Sequence, residues 1–259
     1  MLAERPQGPV SQEPSKPRRP RVDNRLSLST VLRPVLRSLL AGFLLPLGFS
    51  GAPSGDDLER VLDGLERRYA SVETAVGNFR QTYRAPGVEQ VESGVFWLKK
   101  PVYMRWEYRE PEEKLFVTDG REAFLYVPRD RQVTIQPFHV SDMRGTPLEL
   151  LLGMENIRKS FTASWEWEHA PKTEAALHIR LTPRARDADY DYLVLELDSG
   201  TFDIRRLAIR ERTANTSEFL LTGVKTNMRI DGGKFRFRIP EGIEVLRRSG
   251  GEPLEGPGH

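Results

Sequence analysis

The chain of 259 residues contains no cysteine. Disulfides are excluded as a source of stability, so the fold must be held by its core, and without a modifiable cysteine the chain is not itself a lipoprotein. Its four histidines, His139, His169, His178 and His259, share no metal-type spacing, and no HExxH arrangement occurs. Isolated surface imidazoles account for them. A glycine-rich phosphate loop is missing as well, since Gly232-Gly233 in "RIDGGKF" reads as a turn between strands. Ser160, Ser199 and Ser217 stand in no nucleophile-elbow context, and no nucleophile, base and oxyanion site comes together. The reading is a non-enzymatic protein with no metal and no cofactor.

Aromatic residues are absent from residues 1 to 37, which hold six prolines and eight basic residues against Glu4, Glu13 and Asp23. That composition buries too little apolar surface to offset chain entropy, so it reads as a disordered basic leader. Behind it lies "SLLAGFLLPLGFSGAPSG", whose apolar run from Ser38 to Phe49 falls well short of the ~20 residues that span a bilayer. A cationic segment, a short apolar run and small residues at Gly48 and Ser50 form the layout of a secretory signal peptide cleaved after Ser50. A transmembrane anchor is the weaker alternative, and the length of the basic region points to a translation start nearer Val31. Without residues 1 to 50 the formal net charge moves from +2 to −3, because eight basic and three acidic residues leave with them. The basic pI belongs to the leader, so a nucleic-acid partner is excluded.

What is present from Gly55 onward is strongly patterned. Asp56 and Asp57 precede Leu58, Val61, Leu62, Leu65, Tyr69 and Val72 at three- and four-residue spacing, which predicts an amphipathic helix over 57–72. A strand pattern begins at "FRQTYRA". Successive strands follow at 91–99, 103–108, 114–118, 123–127 and 132–137, separated by Lys-Pro, Pro111, Asp119-Gly120 and Pro128 turns that imply an antiparallel meander. "TPLELLLGMENIRKSF", with Thr146 as cap and Pro147 at the first helical position, predicts a second helix through about Ser160. Strands resume at 164–168, 176–183, 190–198, 204–211, 216–226 and 235–239, and a loose Gly- and Pro-rich tail follows over 247–259. "DADYDY" at 187–192 is either a solvated loop entry or a cation chelate, the first being favoured. The sum is one α+β domain over 51–246 with roughly ten or eleven strands and helices laid on an apolar face of the sheet.

The densest chemistry is "GVFWLKKPVYMRWEY" at 94–108. Phe96, Trp97, Tyr103, Trp106, Tyr108, Phe116, Phe124 and Tyr126 fall on four consecutive strands, where aromatics of one parity share a face. They form either the packed core of a half-barrel or the lining of a cavity on the concave side of a strongly curved sheet, roofed by the two helices.

The run "SGVFWLKKPVYMRWEYREPEEKLFVTDGREAFLYVPRDRQV" from Ser93 to Val133, with "NFRQTY" at 78–83 and "GTPLELLLG" at 145–153, resembles the LolA family of periplasmic lipoprotein carriers. The resemblance implies an unclosed, curved antiparallel half-barrel with a helical lid over an apolar cavity. It implies a monomeric, soluble periplasmic protein that takes acylated lipoprotein cargo from an inner-membrane lipoprotein-releasing ABC transporter and passes it to an outer-membrane acceptor. Tyr69, Trp97, Trp106, Phe116 and Leu151 match the family's apolar lining. Lys100 stands where the family has an arginine that bonds toward the lid and holds it closed; Lys keeps the charge and loses the planar fork. Met104 stands where the family has an aromatic used in transfer from the transporter. Two other readings use the same half-barrel: a sensor of envelope stress or mislocalised lipoprotein, and a carrier of another lipid.

Overall fold

The computed structural model describes residues 55–139, 150–151, 157–174, 177–186 and 188–248. The leader and signal-peptide readings lie outside the described residues, as does most of the second helix. Two helices are described, α1 over Gly55–Ala70 and α2 over Ile157–Ser160; Leu150 and Leu151, also helical, are buried. No described helix is long and apolar enough to cross a membrane.

The strands are β1 Thr74–Ala85, β2 Val88–Lys99, β3 Tyr103–Glu110, β4 Lys114–Thr118, β5 Glu122–Val127, β6 Gln132–Pro137, β7 Phe161–Trp165, β8 Leu177–Pro183, β9 Tyr190–Leu197, β10 Ile204–Glu211, β11 Thr216–Thr226 and β12 Glu244–Arg247. They form one open sheet in the order β12-β6-β5-β4-β3-β2-β1-β11-β10-β9-β8-β7. Every described pairing is antiparallel except that of β12 with β6. The meander read from turn chemistry is β2 to β6; the pairing of β1 with β11 carries no local signal, because about 140 residues separate the two strands.

Alternation sorts the side chains into two rows. Phe96, Trp106 and Phe116 stand opposite one another on β2, β3 and β4, and Leu98, Met104 and Thr118 form the next register level on the same face. One continuous core joins these residues to Ile179, Leu181, Leu193 and Leu195 of β8 and β9 and to Val61, Leu62 and Leu65 of α1. Strands far apart in the sheet order share one core, so the sheet curls around α1 into an unclosed half-barrel. Trp97, Arg105, Val117, Phe124 and Ile135 form the opposite, outer row.

The structure departs from the expected strand at 235–239. Gly232–Phe235 is a 3-10 turn, and 236–240 joins no ladder. The apolar alternation there serves packing across the outer face: Phe235 lies 5.7 Å from Tyr103, and Phe237 lies 5.6 Å from Phe124 and 5.4 Å from Tyr126, ring centre to ring centre. The strand that does form, β12, is exposed throughout and shows no alternation to read. Its last residue, Arg247, lies where the sequence reads as tail. β7 starts three residues before the expected strand and stops at Trp165, because the Glu166 carboxylate accepts the backbone N–H groups of Glu168 and His169 and turns the chain.

Gly94 marks a register shift between β2 and β3, and a Cβ there would meet the Glu107 carbonyl oxygen at 1.9 Å. Gly94→Ala should therefore cost about 1–3 kcal/mol by overpacking. The expected result is a lower urea midpoint at unchanged slope; an unchanged midpoint would show that the backbone relaxes freely at the bulge.

Candidate functional site

The site is built around α1. Its apolar stripe faces the inner row of the sheet, and polar ties fix both of its halves. At the C-terminal end, Lys100 Nζ donates to the carbonyls of Tyr69 at 2.7 Å and Ala70 at 3.2 Å, where the helix leaves its last carbonyls unpaired and favours a cation. Burial lowers the Lys100 pKa, and Glu73 works against that shift. Arg68 pairs with Asp203 at 2.7 Å, and the Tyr69 hydroxyl accepts the Ile204 N–H at 3.1 Å, burial raising the phenol pKa above its ordinary value. Along the exposed side, Arg158 of α2 grips Glu59, Asp63 and Glu66 at 2.9, 2.6 and 2.6 Å, three carboxylates brought onto one face of α1 by helical spacing.

Beneath α1 the inner row is packed. Phe96 stacks on Trp106 at 5.1 Å, while Phe79 meets Trp106 and Tyr108 edge-on, both at 4.9 Å. Among the described residues, a space of about 30 Å³ lies under the C-terminal half of the helix, bounded by Tyr69, Phe96, Leu98, Leu151, Ile204 and Leu221. That is room for no more than a few water molecules.

A much larger space of about 990 Å³ opens beside α1, against residues 165–171. Its apolar walls are Val61, Trp165, Trp167, Pro171, Leu177 and Phe202. Phe202, held at φ +60°, lies against Gly64 of α1; a Cβ at Gly64 would meet its ring at 2.5 Å. The β7–β8 connection is pinned to the outer face by buried Glu196, which accepts from the amides of Lys172 at 2.9 Å and Thr173 at 2.8 Å and from Arg206 at 2.7 Å. Burial alone would raise the Glu196 pKa, but these bonds outweigh it and hold it below the usual range.

A comparison with protein families matches residues 70–238 to the model described as outer membrane lipoprotein carrier protein LolA. The chain belongs to the LolA family. An outer-membrane lipoprotein carrier protein of Pseudomonas syringae pv. tomato is 30% identical over 82% of this chain and 99% of its own. One from Hahella chejuensis is 29% identical over 73% and 88%. Among solved structures, an uncharacterized conserved protein from Thermus thermophilus is similar over 74% of this chain and 99% of its own, at 13% identity and a TM-score of 0.46.

The residues carried over from LolA do not all meet. Tyr69 and Leu151 border the small space under the helix, and Trp106 and Phe116 lie on the same inner face. Trp97 does not line it: strand alternation puts it on the outer row, where Lys234 Nζ sits 3.7 Å from its ring centre. Lys100 bonds to the end of α1 itself, the place where the LolA resemblance implies a lid contact. Met104 is completely buried, so its side chain is not on the surface in this conformation. Arg158, Phe202 and Trp165 are not singled out by the sequence. The spacing of Glu59, Asp63 and Glu66 is a signal that some cation faces α1; Phe202, one residue past "LDSGT", gives none. Of the histidines, His139 and His169 are exposed and His259 lies outside the described residues. His178 is buried, its Nε2 3.9 Å from Glu196. Tyr190 of "DADYDY" opens β9, as a loop entry requires.

Two outcomes are expected. Lys100→Leu should raise the hydrogen-exchange rates of amides in the last turns of α1 roughly 5-fold, since a half-exposed charged hydrogen bond contributes about 1 kcal/mol; unchanged exchange would mean that Lys100 does not hold the helix. Burial lowers the His178 pKa from 6.5, while Glu196 and Glu166 oppose the shift and Arg206 and His169 add to it. An unfolded histidine thus binds its proton first, and stability is full above pH 6.5 and lost as pH falls below it. Glu166, Glu196 and Glu218, all held low, add their losses only in stronger acid. The melting temperature should drop between about pH 7 and 5.5, and His178→Gln should flatten that drop; an identical profile in the variant would assign the loss elsewhere.

Proposed function

We propose that this LolA-family chain is a periplasmic carrier that shields the acyl chains of lipoproteins against the inner face of its half-barrel. It would receive them from an inner-membrane lipoprotein-releasing ABC transporter and surrender them to an outer-membrane acceptor. The apolar run before Gly51 would serve as the export signal, and the work is done by a monomer without covalent chemistry. The observation that carries the reading is the closed apolar inner face under a helix held at its edges by polar ties.

The magnitudes fit a reversible cover. Each methylene left in water costs about 0.8 kcal/mol, so an acyl chain cannot cross an aqueous compartment unshielded. The roughly 30 Å³ bounded by Tyr69, Phe96 and Leu151 is too small for such a chain, so a chain that enters there does so as α1 withdraws. Surface ion pairs such as those of Arg158 are worth about 0–1 kcal/mol each, small beside the burial of one chain.

The test is native mass spectrometry of the mature protein with a synthetic triacylated lipopeptide. A 1:1 complex is expected for wild type. Leu151→Asp should abolish it while circular dichroism stays β-rich, because it places a charge against the acyl chains. Wild-type binding by this variant would remove Leu151 from the lining, and absence of any complex with wild type would overturn the carrier reading.

A further inference from the structure

We propose that the cleft between α1 and residues 165–171 is a separate amphiphile site, which takes one acyl chain of a lipid with an anionic phosphate head group while the space under α1 stays closed. The inference rests on the carrier reading only in taking an acylated ligand, and its site is different.

The two spaces differ in size and state. The cleft holds about 990 Å³ and the space beneath the helix about 30 Å³, so the first is formed before anything moves. A volume near 1,000 Å³ stands at the upper end of the range for small-ligand sites. Phe202 lines the cleft, and the next two residues, Asp203 and Ile204, border the closed space, so one turn separates the two. The ring of Phe202 against Gly64 forms the partition.

The walls point to a chain and the rim to an anion. Trp165 and Trp167 stand 6.3 Å apart, and Trp167 is 70% exposed, an aromatic surface of the kind that marks ligand contact. The indole N–H of Trp165 has no acceptor among the described residues. Arg60, Arg67 and His169 stand around the opening. Of the carboxylates near it, Asp57 is paired with Arg60, Glu166 is bound by Arg180, by two backbone amides and by His169 Nδ1 at 3.3 Å, and exposed Glu168 shares Arg180. Arg67, exposed in the last turn of α1, makes no ion pair among the described residues. Among the described residues the other charges around the opening are paired, so the exposed Arg67 guanidinium is the group left to take a phosphate oxygen.

The test uses the full chain and lysophosphatidylglycerol with a dibrominated acyl chain, a quencher of nearby tryptophan, below its micelle concentration. Quenching is expected in wild type and should be mostly lost in a Trp165→Phe/Trp167→Phe variant that keeps its melting temperature. Arg67→Gln should weaken binding of this probe several-fold and leave the zwitterionic lysophosphatidylcholine analogue unchanged. Inorganic phosphate at millimolar concentration should not displace the probe; displacement would mean a free-anion site and would overturn the lipid assignment. Equal quenching in the double variant would place the chain elsewhere. Tighter binding in Lys100→Leu would mean that the probe enters under α1, and this too would overturn the proposal. Triacylated lipopeptide capture, measured on the same samples, separates the two readings: capture without quenching at Trp165 and Trp167 would leave the carrier standing and remove only the cleft.

Discussion

The structure depends on covering one apolar face. Alternation along β1 to β4 sends Phe79, Phe96, Leu98, Met104 and Trp106 to the inner side of the sheet, and so many aromatic and aliphatic groups cannot be left in water. α1 supplies Val61, Leu62 and Leu65 as the cover, and the curl of the sheet follows from wrapping that helix. The outer face meets the same requirement differently, with Phe235 and Phe237 of the C-terminal segment laid across Tyr103, Phe124 and Tyr126. Both faces are closed by segments from the two ends of the described chain, and only the inner cover is a regular element that can move as a unit.

Much of this is legible in the sequence. The stripe from Leu58 to Tyr69 marks α1, and the Pro and Asp-Gly turns mark the meander from β2 to β6, because both signals are local. Pairing of β1 with β11 and of β12 with β6 is not legible: the first is set by long-range closure, and β12 has no buried side to impose a pattern. Trp97 shows the limit of resemblance without register. It adjoins Phe96 in the chain, but a strand sends neighbours to opposite faces, and the cation that covers it, Lys234, is 137 residues away.

The site is partly legible for the same reason. Lys100 stands out by its place beside a hairpin proline, a short-range cue, and its partners are the final carbonyls of α1. The cleft walled by Trp165, Trp167 and Phe202 has no such cue, since its walls come from three segments that meet only in the fold and from a turn residue in the left-handed region, where a bulky side chain is unusual. Buried Glu196 is likewise invisible, because nothing local marks it off from exposed Asp191 in the same strand.

The ties on α1 are unlike in kind, and that gives the helix a direction. Its C-terminal end is held by the half-buried Lys100 ammonium donating to two carbonyls, by a phenol against a backbone amide and by the partly buried Arg68–Asp203 pair. Its exposed flank is held by the Arg158 ion pairs, and Glu59 and Asp63 there are more than half exposed. Counter-ions weaken exposed charge pairs most, act less on partly buried ones and leave the neutral Tyr69–Ile204 hydrogen bond almost untouched. Rising ionic strength thus loosens the Arg158 flank before the C-terminal end, so that α1 is freed along one edge before it can lift away whole.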